Sequence, residues 1–459
     1  MTHKVYVVTD LGPGDGGKGG VVHTVAKAQR AHTIIKRGGA QGSHGVATSH
    51  GEKFAFSQWG CGTFDGIPTH LSDQFIVSPD GLLNEADALR YEAGVNDPFA
   101  MLTADAHARV ATPFHGIASH LFELARADHP RGTIGTGVGQ AYRDATRYPE
   151  LALTVGDLKV SNLYERLRAV RDNIREYVWL VVEDAEFLRA DSAAVRRELE
   201  LLADDGFIDY VHQRFVKVAR LLTIVDHSYF GEVILPKPGV AIIETSHGVL
   251  TDRVYGFYPH TSAIRTLPSI TRRILDDADF DGQIVNLGVT RAYAIRHGAG
   301  PMPTDDPSLS EHLLPGSHKA DNRWQGNVRV GALDGVLLRY AIKASGGPTA
   351  FDGLAVTWFD QIVANGMWRL ANRYEQANDS MCFTLQGELR VYAEPTDETQ
   401  AHLTHALSQV RPETYDLPID RSLDRKALYS ICAQQVQDMT DIPVRMVSFG
   451  PTERDKVMQ

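Results

Sequence analysis

The chain has 459 residues, with 46 Lys and Arg against 57 Asp and Glu, and its formal net charge is −11. Hydrophobic residues make up 43% of the chain, which is enough for a large core and excludes a mainly disordered protein. The acidic balance argues against binding to nucleic acid, because polymer phosphates are neutralised by Lys and Arg. It leaves room for a local basic pocket that binds one small anion.

Short apolar runs alternate with longer helical patterns along the chain, which is typical of an α/β fold. The predicted strands are residues 5–9, 32–36, 75–78, 177–182, 239–244, 284–294, 353–359, 388–393 and 444–449. The predicted helices are residues 18–29, 83–93, 116–127, 192–203, 209–224 and 331–345. Prolines and glycines interrupt the polar stretch 304–327, which predicts a long mobile loop. No linker divides the sequence, so we expect residues 1–459 to form a single domain.

The cysteines and the apolar runs indicate a compartment. Cys61, Cys382 and Cys432 are far apart and form neither a disulfide framework nor a CxxC metal site. The N-terminus enters a strand-like run directly, without the apolar region of a signal peptide. No apolar run reaches the roughly 20 residues that cross a bilayer. We therefore expect a cytoplasmic protein without a membrane partner.

A glycine-rich segment, residues 12–19 (GPGDGGKG), follows the first predicted strand and opens the first predicted helix. This context suits a phosphate cradle, because backbone N–H groups and a helix N-terminus then face one anion. The segment satisfies G-x-G-x-x-G, but Lys36 and Arg37 stand where a dinucleotide site needs an acid. It also approaches the Walker A pattern, with Lys18 present and Gly19 in place of the hydroxyl that binds Mg²⁺. A tight turn rich in glycine for steric reasons is the third alternative.

A carboxylate inside this segment, Asp15, fits neither nucleotide pattern. Beside a phosphate, a carboxylate is repulsive unless a cation or a proton transfer accompanies it. We therefore interpret Asp15 as a Mg²⁺ ligand, a base, or both.

The segment 14–19 (GDGGKG) resembles the GDEGKG loop of the adenylosuccinate synthetase family. Further segments resemble motifs of that family in the family's order: 38–44 (GGAQGSH), 51–53 (GEK), 132–142 (GTIGTGVGQAY), 155–158 (VGDL), 298–304 (GAGPMPT) and 448–451 (SFGP). They cover nearly the whole chain, which is identified as a divergent member of the family. The resemblance implies a large, mainly parallel twisted sheet flanked by helices, with insertions and a P-loop-like nucleotide site. It also implies a homodimer.

The family joins L-aspartate to the 6-position of a purine nucleotide, driven by a nucleoside triphosphate and Mg²⁺, through a 6-phosphoryl intermediate. The resemblance implies that Asp15 is the base at N1 and a Mg²⁺ ligand, and that His44 is the general acid at the 6-oxygen. It makes Lys18 the phosphate clamp, and the backbone carbonyl of Ser43 a second metal ligand. The implied donor-nucleotide residues are Gly14, Gly16, Gly17, Gly19, Asp360, Ser448, Gly450 and Pro451.

The donor base is expected at residues 357–360 (TWFD), which resemble the family's TKLD segment. Asp360 keeps the carboxylate that accepts hydrogen bonds from guanine, and this favours GTP. Trp358 replaces the lysine and either stacks on a base or packs in the core, so ATP is the alternative donor.

The segments that form the acceptor pocket in the family are present in this sequence, but several of their residues differ from the family pattern. Its implied residues are Gln41, Thr133, Ile134, Arg147, His247 and Thr261. Gln41 stands where the family has Asn, Ile134 where it has Thr, and His247 where it has Gln. Arg147 lies near an arginine that reaches the nucleotide phosphate of the partner subunit. These differences weaken the inference that inosine monophosphate is the acceptor.

The aspartate-binding loop of the family, TTGRRRRTGWLD, corresponds to residues 324–334 (WQGNVRVGALD). A dicarboxylic amino acid needs at least one fork-like cation. Arg329 and, slightly upstream, Arg323 are the candidates. The alternative is that both are surface arginines on a mobile loop.

Three functions follow from this resemblance. The first is ligation of aspartate to inosine monophosphate, because Asp15 and His44 are both present. The second is the same chemistry on guanylate, deoxyguanylate or another 6-oxopurine nucleotide, which the altered lining favours. Asp15 argues against the viral branch that uses (deoxy)guanylate, where this position is often changed. The third is a nucleotide-binding protein without ligase activity, which the loss of loop arginines favours.

Overall fold

The apolar run near the N-terminus forms the central strand of a large sheet in the computed structural model, which describes residues 3–126, 131–183, 192–317, 321 and 324–459. The sheet strands are β1 (His3–Asp10), β2 (Thr33–Gly39), β5 (Thr69–Val77), β6 (Leu102–Asp105), β7 (Arg109–Val110), β8 (Thr223–Val225), β9 (Gly239–Gly248), β10 (Gln283–Arg291), β14 (Gly353–Thr357), β17 (Val444–Ser448) and β18 (Lys456–Met458). Their spatial order is β18-β17-β14-β10-β1-β9-β2-β5-β6-β8, and β7 pairs with β5.

The pairings within this sheet are parallel except that between β17 and β18. Parallel neighbours require crossover connections, so helices cover both faces of the sheet. The helices are α1 (Lys18–Gln29), α2 (Pro79–Tyr91), α3 (Pro113–Ala125), α4 (Val138–Arg147), α5 (Leu163–Glu183), α6 (Ser192–Ala203), α7 (Asp205–Leu221), α8 (Pro268–Asp276), α9 (Pro307–Leu313), α10 (Gly335–Ala344), α11 (Phe359–Asn365), α12 (Asp397–Leu407) and α13 (Arg425–Thr440). None of the described helices combines the length and the apolar content needed to cross a bilayer.

Small sheets complete the architecture. They are formed by β3 (His44–Ala47) with β4 (Lys53–Phe56), by β11 (Ala294–His297) with β12 (Val328–Gly331), and by β13 (Leu333–Asp334) with β15 (Met367–Glu375) and β16 (Arg411–Pro418). Two large apolar clusters hold the layers together. One packs α1, α2, α3, α5 and α7 on the sheet, and the other packs α10, α11, α12 and α13.

The expected α/β fold with a mainly parallel sheet is confirmed, and so is most of the predicted element order. The strand predicted at residues 177–182 is wrong, because the segment lies in helix α5. There Val178 is fully buried while Trp179 and Leu180 are exposed, which is a helical and not a fully buried pattern. The strand predicted at residues 388–393 is also wrong: an isolated bridge joins Leu389 to Phe383, and Tyr392 bonds its hydroxyl to a backbone carbonyl.

The stretch 304–327 is not the uniform loop that its prolines and glycines predict, because it contains helix α9. The side chain of Asp306 accepts hydrogen bonds from the backbone N–H groups of Ser308 and Leu309, and Pro307 occupies the first helical turn. Asp at the N-cap and Pro at the first helical position are both typical of the start of a helix.

Candidate active site

A cavity of about 940 Å³ lies at the carboxyl ends of the central parallel strands. This is where ligands bind in open α/β sheets, because the loops that follow the strands can diverge there. The loops after β1, β2, β9, β14 and β17 contribute to its wall, and so does Arg291 at the end of β10. Most of the predicted site residues line it: Gly14, Asp15, Gly16, Gly17, Lys18, Gly19, Gln41, Ser43, His44, Thr133, Ile134, His247, Thr261, Asp360, Ser448, Gly450 and Pro451.

The glycine-rich loop of residues 12–19, named the phosphate loop here after its predicted role, takes its shape from Asp10, the last residue of β1. Asp10 was not among the predicted site residues. One carboxylate oxygen of Asp10 accepts a hydrogen bond from the N–H of Gly12 at 2.8 Å, and the other accepts from the N–H of Gly16 at 2.9 Å. Gly17 adopts a left-handed φ of 84°, and a Cβ there would stand 2.9 Å from the hydroxyl of Thr357. The sequence signal that could have identified Asp10 is an acidic residue at the end of a strand, just before a glycine-rich loop.

Lys18 opens helix α1 with its side chain buried against the loop. Its Nζ donates to the carbonyl of His247 at 2.6 Å and lies 3.1 Å from a carboxylate oxygen of Asp10. The ammonium therefore joins the phosphate loop to the end of β9 and lies at the cavity wall.

Gly19 also has a steric role that explains the missing Walker hydroxyl. A Cβ at Gly19 would meet the carbonyl oxygen of Gly45 well inside contact distance, and it would stand 2.9 Å from the carbonyl carbon of His44. Helix α1 and strand β3 approach each other too closely for any side chain at this position. The residues around His44 thus occupy the space that a serine or threonine needs.

Asp15 lies at the cavity with a left-handed φ of 59°. Its Oδ2 lies 3.4 Å from Nε2 of His297, and its backbone carbonyl accepts a hydrogen bond from Arg291 at 3.2 Å. The guanidinium of Arg291 stacks 4.0 Å from the ring centre of Trp358. Arg291 and His297 were not among the predicted site residues. Each stands at the end of a strand, which was their only signal in the sequence.

His44, the predicted general acid, is held by a buried ionic network. Its Nδ1 lies 2.5 Å from Oε1 of Glu244, and Nζ of Lys36 donates to the same oxygen at 2.7 Å. Burial alone raises the pKa of Glu244, but Lys36 and His44 outweigh it and keep the carboxyl ionised. Burial lowers the pKa of His44 to about 4, assisted by Lys36 and Lys18 and opposed by Glu244. The hydrogen bond to Glu244 fixes the orientation of the imidazole at the cavity.

Gln41 and His247 form a pair at the same wall. Nε2 of the amide lies 2.6 Å from Nε2 of the imidazole. His247 has a left-handed φ of 64°, and burial lowers its pKa to about 4, with Lys18 acting in the same direction. These two residues stand where the family pattern has Asn and Gln, and the structure brings both changes into direct contact.

The predicted donor-base end lies at the carboxyl ends of β14 and β17. Asp360 accepts a hydrogen bond from the amide of Gln361 at 2.7 Å, and Ser448 donates to the carbonyl of Gly450 at 2.9 Å. Lys456 lines this end too, and burial lowers the pKa of its ammonium to about 8. Lys456 was not among the predicted site residues.

Two of the predicted cations, Arg147 and Arg329, do not line the cavity. The guanidinium of Arg147 lies over the ring of Tyr148, 5.2 Å from its centre. Arg329 donates to the carbonyls of Gly298 and Gly300, at 2.7 and 2.8 Å. Arg323 lies outside the described residues.

Other arginines line the cavity instead: Arg126, Arg131, Arg143, Arg291 and Arg296. Burial lowers the pKa of Arg296 to about 10, and the neighbouring charge of Arg329 adds to this effect. Such a pair of close guanidinium groups is stabilised by an anion.

The whole chain is similar to one protein family. The family model of adenylosuccinate synthetase matches residues 7–458. An adenylosuccinate synthetase of Shewanella woodyi is 25% identical over 464 residues, which cover 99% of this chain and 98% of that protein. One from Halobacterium salinarum is 29% identical over 374 residues, 79% of each chain.

Two solved structures share the fold. Fully ligated adenylosuccinate synthetase from Plasmodium falciparum has a TM-score of 0.74 and 17% identity, with 99% of both chains covered. Succinoaminodeoxyadenylate synthetase of cyanophage S-2L, bound to dGMP and dATP, has a TM-score of 0.58 and 14% identity, and covers 100% of this chain and 96% of its own.

Proposed function

Because the chain belongs to the adenylosuccinate synthetase family, we propose that it joins L-aspartate to the 6-position of a 6-oxopurine nucleotide, with inosine monophosphate as the first choice. The family consists of ligases that use a nucleotide substrate. The observation that carries the proposal is that Asp15, from the loop after β1, and His44, the first residue of β3, line one cavity. A base and an acid on one substrate ring are what the chemistry needs, since an amide-like oxygen leaves poorly until it is phosphorylated.

In the first step, Asp15 takes the proton from N1 of the purine, the 6-oxygen attacks the γ-phosphorus of the nucleoside triphosphate, and the bond from that phosphorus to the β-phosphate oxygen breaks, so that the nucleoside diphosphate leaves. When its ring carries both protons, His44 donates from Nε2 to the 6-oxygen and from Nδ1 to Glu244, which orients the ring and favours this protonated form against the effect of burial. Lys18 stabilises the transferred phosphoryl group. In the second step, the amine of aspartate attacks C6 and phosphate leaves.

We propose Mg²⁺ as the metal. The carboxylate of Asp15 and the backbone carbonyl of Ser43 would hold it, since both residues line the cavity and both offer the oxygen ligands that Mg²⁺ prefers. When bound, the ion would neutralise part of the negative charge on the phosphates of the nucleoside triphosphate.

We propose GTP as the phosphoryl donor, with ATP as the alternative. The carboxylate of Asp360 favours GTP, because it can accept hydrogen bonds from both N1–H and the 2-amino group of guanine, whereas N1 of adenine is an acceptor and cannot pair with a carboxylate. The proposed donor wall comprises Gly14, Gly16, Gly17, Gly19, Asp360, Ser448, Gly450 and Pro451.

A second candidate function is ligation to guanylate or deoxyguanylate. The contact between Gln41 and His247, together with Ile134, alters the acceptor wall relative to the family pattern. The cyanophage enzyme with the same fold was solved with dGMP bound. A binding protein without ligase activity is the third candidate, supported by the scarcity of arginines in residues 324–334.

We also propose that residues 1–459 form one domain, that the chain forms a homodimer, and that it works in the cytoplasm. Cys61, Cys382 and Cys432 are all buried as free thiols, which fits a reducing compartment.

The test is a substrate panel in which inosine, guanosine and deoxyguanosine monophosphates are each combined with aspartate, Mg²⁺, and GTP or ATP. The succino-product is followed by its absorbance. We expect turnover of at least one pair, and its loss in Asp15→Asn with folding unchanged. Asp87→Asn, at an exposed carboxylate that pairs with Arg90, serves as the control. Binding of nucleotide without product from any pair would rule out the ligase.

A further inference from the structure

Three arginines of this chain lie together at one end of the cavity: Arg126 after α3, Arg131, and Arg143 on α4. Burial lowers the pKa of Arg126 and of Arg143, and the charge of Arg131 lowers both further. Guanidinium groups that repel one another at a cavity wall need an anion to offset them.

The carboxylates nearby do not supply that charge in full. Glu123 accepts from Nη1 of Arg126 at 2.7 Å, and its other oxygen accepts from the N–H of Gly132. Arg143 donates two hydrogen bonds to the neutral amide oxygen of Gln140, at 3.2 and 2.7 Å. Arg131 donates to the hydroxyl of Tyr258 at 3.2 Å.

The described residues place no carboxylate within salt-bridge distance of Arg131 or Arg143. Asp144 acts on Arg143 only at longer range, and its oxygens already accept from Tyr177 and Gln140. Two guanidinium charges without direct carboxylate partners match a phosphate monoester, which carries about −1.5 to −2 at neutral pH.

The backbone adds donors at the same place. Gly137 caps the ten-residue helix α4 in a left-handed conformation with φ of 80°. A Cβ at Gly139 would stand 3.6 Å from Nη1 of Arg143 and 3.8 Å from Ala263, so the guanidinium lies beside the first turn of this helix. The first N–H groups of a helix have no partner within it and favour an anion.

We infer that Arg143 and Arg131 bind the phosphate group of the acceptor nucleotide in the same chain. The phosphate then receives its positive charge from the protomer that holds Asp15 and His44, and not from an arginine such as Arg147 reaching across a subunit interface. This inference rests on the proposed function for the identity of the nucleotide.

The first experiment measures the binding of inosine monophosphate and of inosine to the full chain by calorimetry. We expect Arg143→Ala and Arg131→Ala each to weaken monophosphate binding about 10- to 100-fold, the effect of one charged hydrogen-bond donor. Binding of inosine should stay unchanged. Arg272→Ala, on the exposed face of α8, is the matched control, because Arg272 pairs only with Asp276 of its own helix.

In turnover assays, the KM for the nucleotide should rise while kcat and the KM for aspartate change little. Arg143→Lys should recover only part of the loss, because an ammonium lacks the planar fork. A rise in the KM for aspartate alone would overturn the inference, since the arginines would then serve the carboxylates of the amino acid.

The second experiment tests whether Arg143 acts in the active site of its own protomer or in that of a partner chain. Arg143→Ala and Asp15→Asn chains are co-expressed with different tags, and the hybrid is purified. When the nucleotide concentration is low, we expect the hybrid to recover no activity, because neither of its protomers carries both Arg143 and Asp15. Recovery would show that Arg143 acts across an interface and would overturn the inference. If no hybrid forms because the chain is monomeric, the arginine acts within its own chain.

These outcomes are distinct from the failure of the proposed function. Monophosphate binding that depends on Arg143 and Arg131, without product from any 6-oxopurine nucleotide, would reject the ligase and keep the phosphate site. Turnover that is insensitive to both arginines would keep the ligase and reject this site.

Discussion

Nδ1 of His44 lies 2.5 Å from Oε1 of Glu244, and both side chains are almost completely shielded from solvent. Lys36 donates to the same oxygen, and the N–H of Cys61 donates to the second carboxylate oxygen at 3.0 Å. Because Nδ1 is engaged with Glu244, Nε2 is the ring nitrogen available to a substrate. A buried carboxylate thus fixes the orientation of the proposed acid.

Replacing Glu244 with Gln keeps the shape of this side chain and removes its charge. We expect kcat to fall by about 10²-fold, because the imidazole loses the carboxylate that orients it and stabilises its protonated form. We also expect a loss of about 3–5 kcal/mol in the free energy of unfolding, since Lys36 is left buried without a counter-charge. Steady-state kinetics and urea denaturation measure the two effects.

A second variant separates stability from catalysis. Glu244→Gln combined with Lys36→Met removes both buried charges, so most of the lost stability should return while kcat stays low. Full activity in the double variant would contradict the orienting role of Glu244.

Gly19→Ala should damage both the fold and the site. The added methyl group forces helix α1 away from the backbone of Gly45, and we expect a loss of about 1–3 kcal/mol in unfolding free energy. His44 begins the displaced strand, so kcat should fall as well. For the stability measurement the control is Gly45→Ala, whose Cβ would meet nothing within 4 Å. Equal stability of the two variants would refute the steric argument.

Stability should depend on pH through His115 at the start of helix α3. Its Nδ1 accepts a hydrogen bond from the N–H of Thr112 at 3.0 Å, and burial lowers its pKa to about 3. The unfolded chain takes up this proton near pH 6.5 and the folded chain does not. Stability is therefore complete above pH 6.5 and declines as the pH falls towards 3, by about 1.4 kcal/mol per pH unit from this group.

His115→Gln tests this dependence, because glutamine at this position can complete the same capping box without titrating. Denaturation profiles between pH 7.5 and 4.5 should have a shallower slope in the variant. At pH 7.5 the two proteins should differ only by a constant offset. Parallel profiles over the whole range would assign the pH dependence to other groups.

Asp360→Asn should reduce the preference between donor nucleotides. An amide presents a donor and an acceptor where the carboxylate presents acceptors only, so the pairing with guanine is lost. We expect the ratio of kcat/KM for GTP over ATP to fall about 10- to 100-fold. The assay uses saturating acceptor and aspartate with either donor. An unchanged ratio would place the donor base away from Asp360.

The loops of the site were predictable because their chemistry is local. The phosphate loop, helix α1 and the position of Asp15 follow from a glycine-rich segment between a strand and a helix. The elements that failed were those where tertiary contacts override propensity. Five of the six residues 177–182 are β-branched or aromatic, yet one long helix incorporates them.

Cation positions were the least predictable part of the site. Arg329 matches an arginine of the family pattern, but its guanidinium bonds to two backbone carbonyls. Arg143 carried no sequence signal of its own, yet it lines the cavity. The long side chain of an arginine reaches many places from one backbone position, so motif spacing does not determine its contacts.

The sequence by itself determined the family and the order along the chain of the strands that carry the site, and it predicted the pair Asp15 and His44, because these depend on short motifs and on alternating apolar patterns. The tertiary structure decided which groups surround that pair. Glu244 meets His44 only because parallel strands β2 and β9 are neighbours, and Arg131 joins Arg143 only through folding of the chain around α4. Such contacts join residues far apart in sequence, and the register of packed elements sets them.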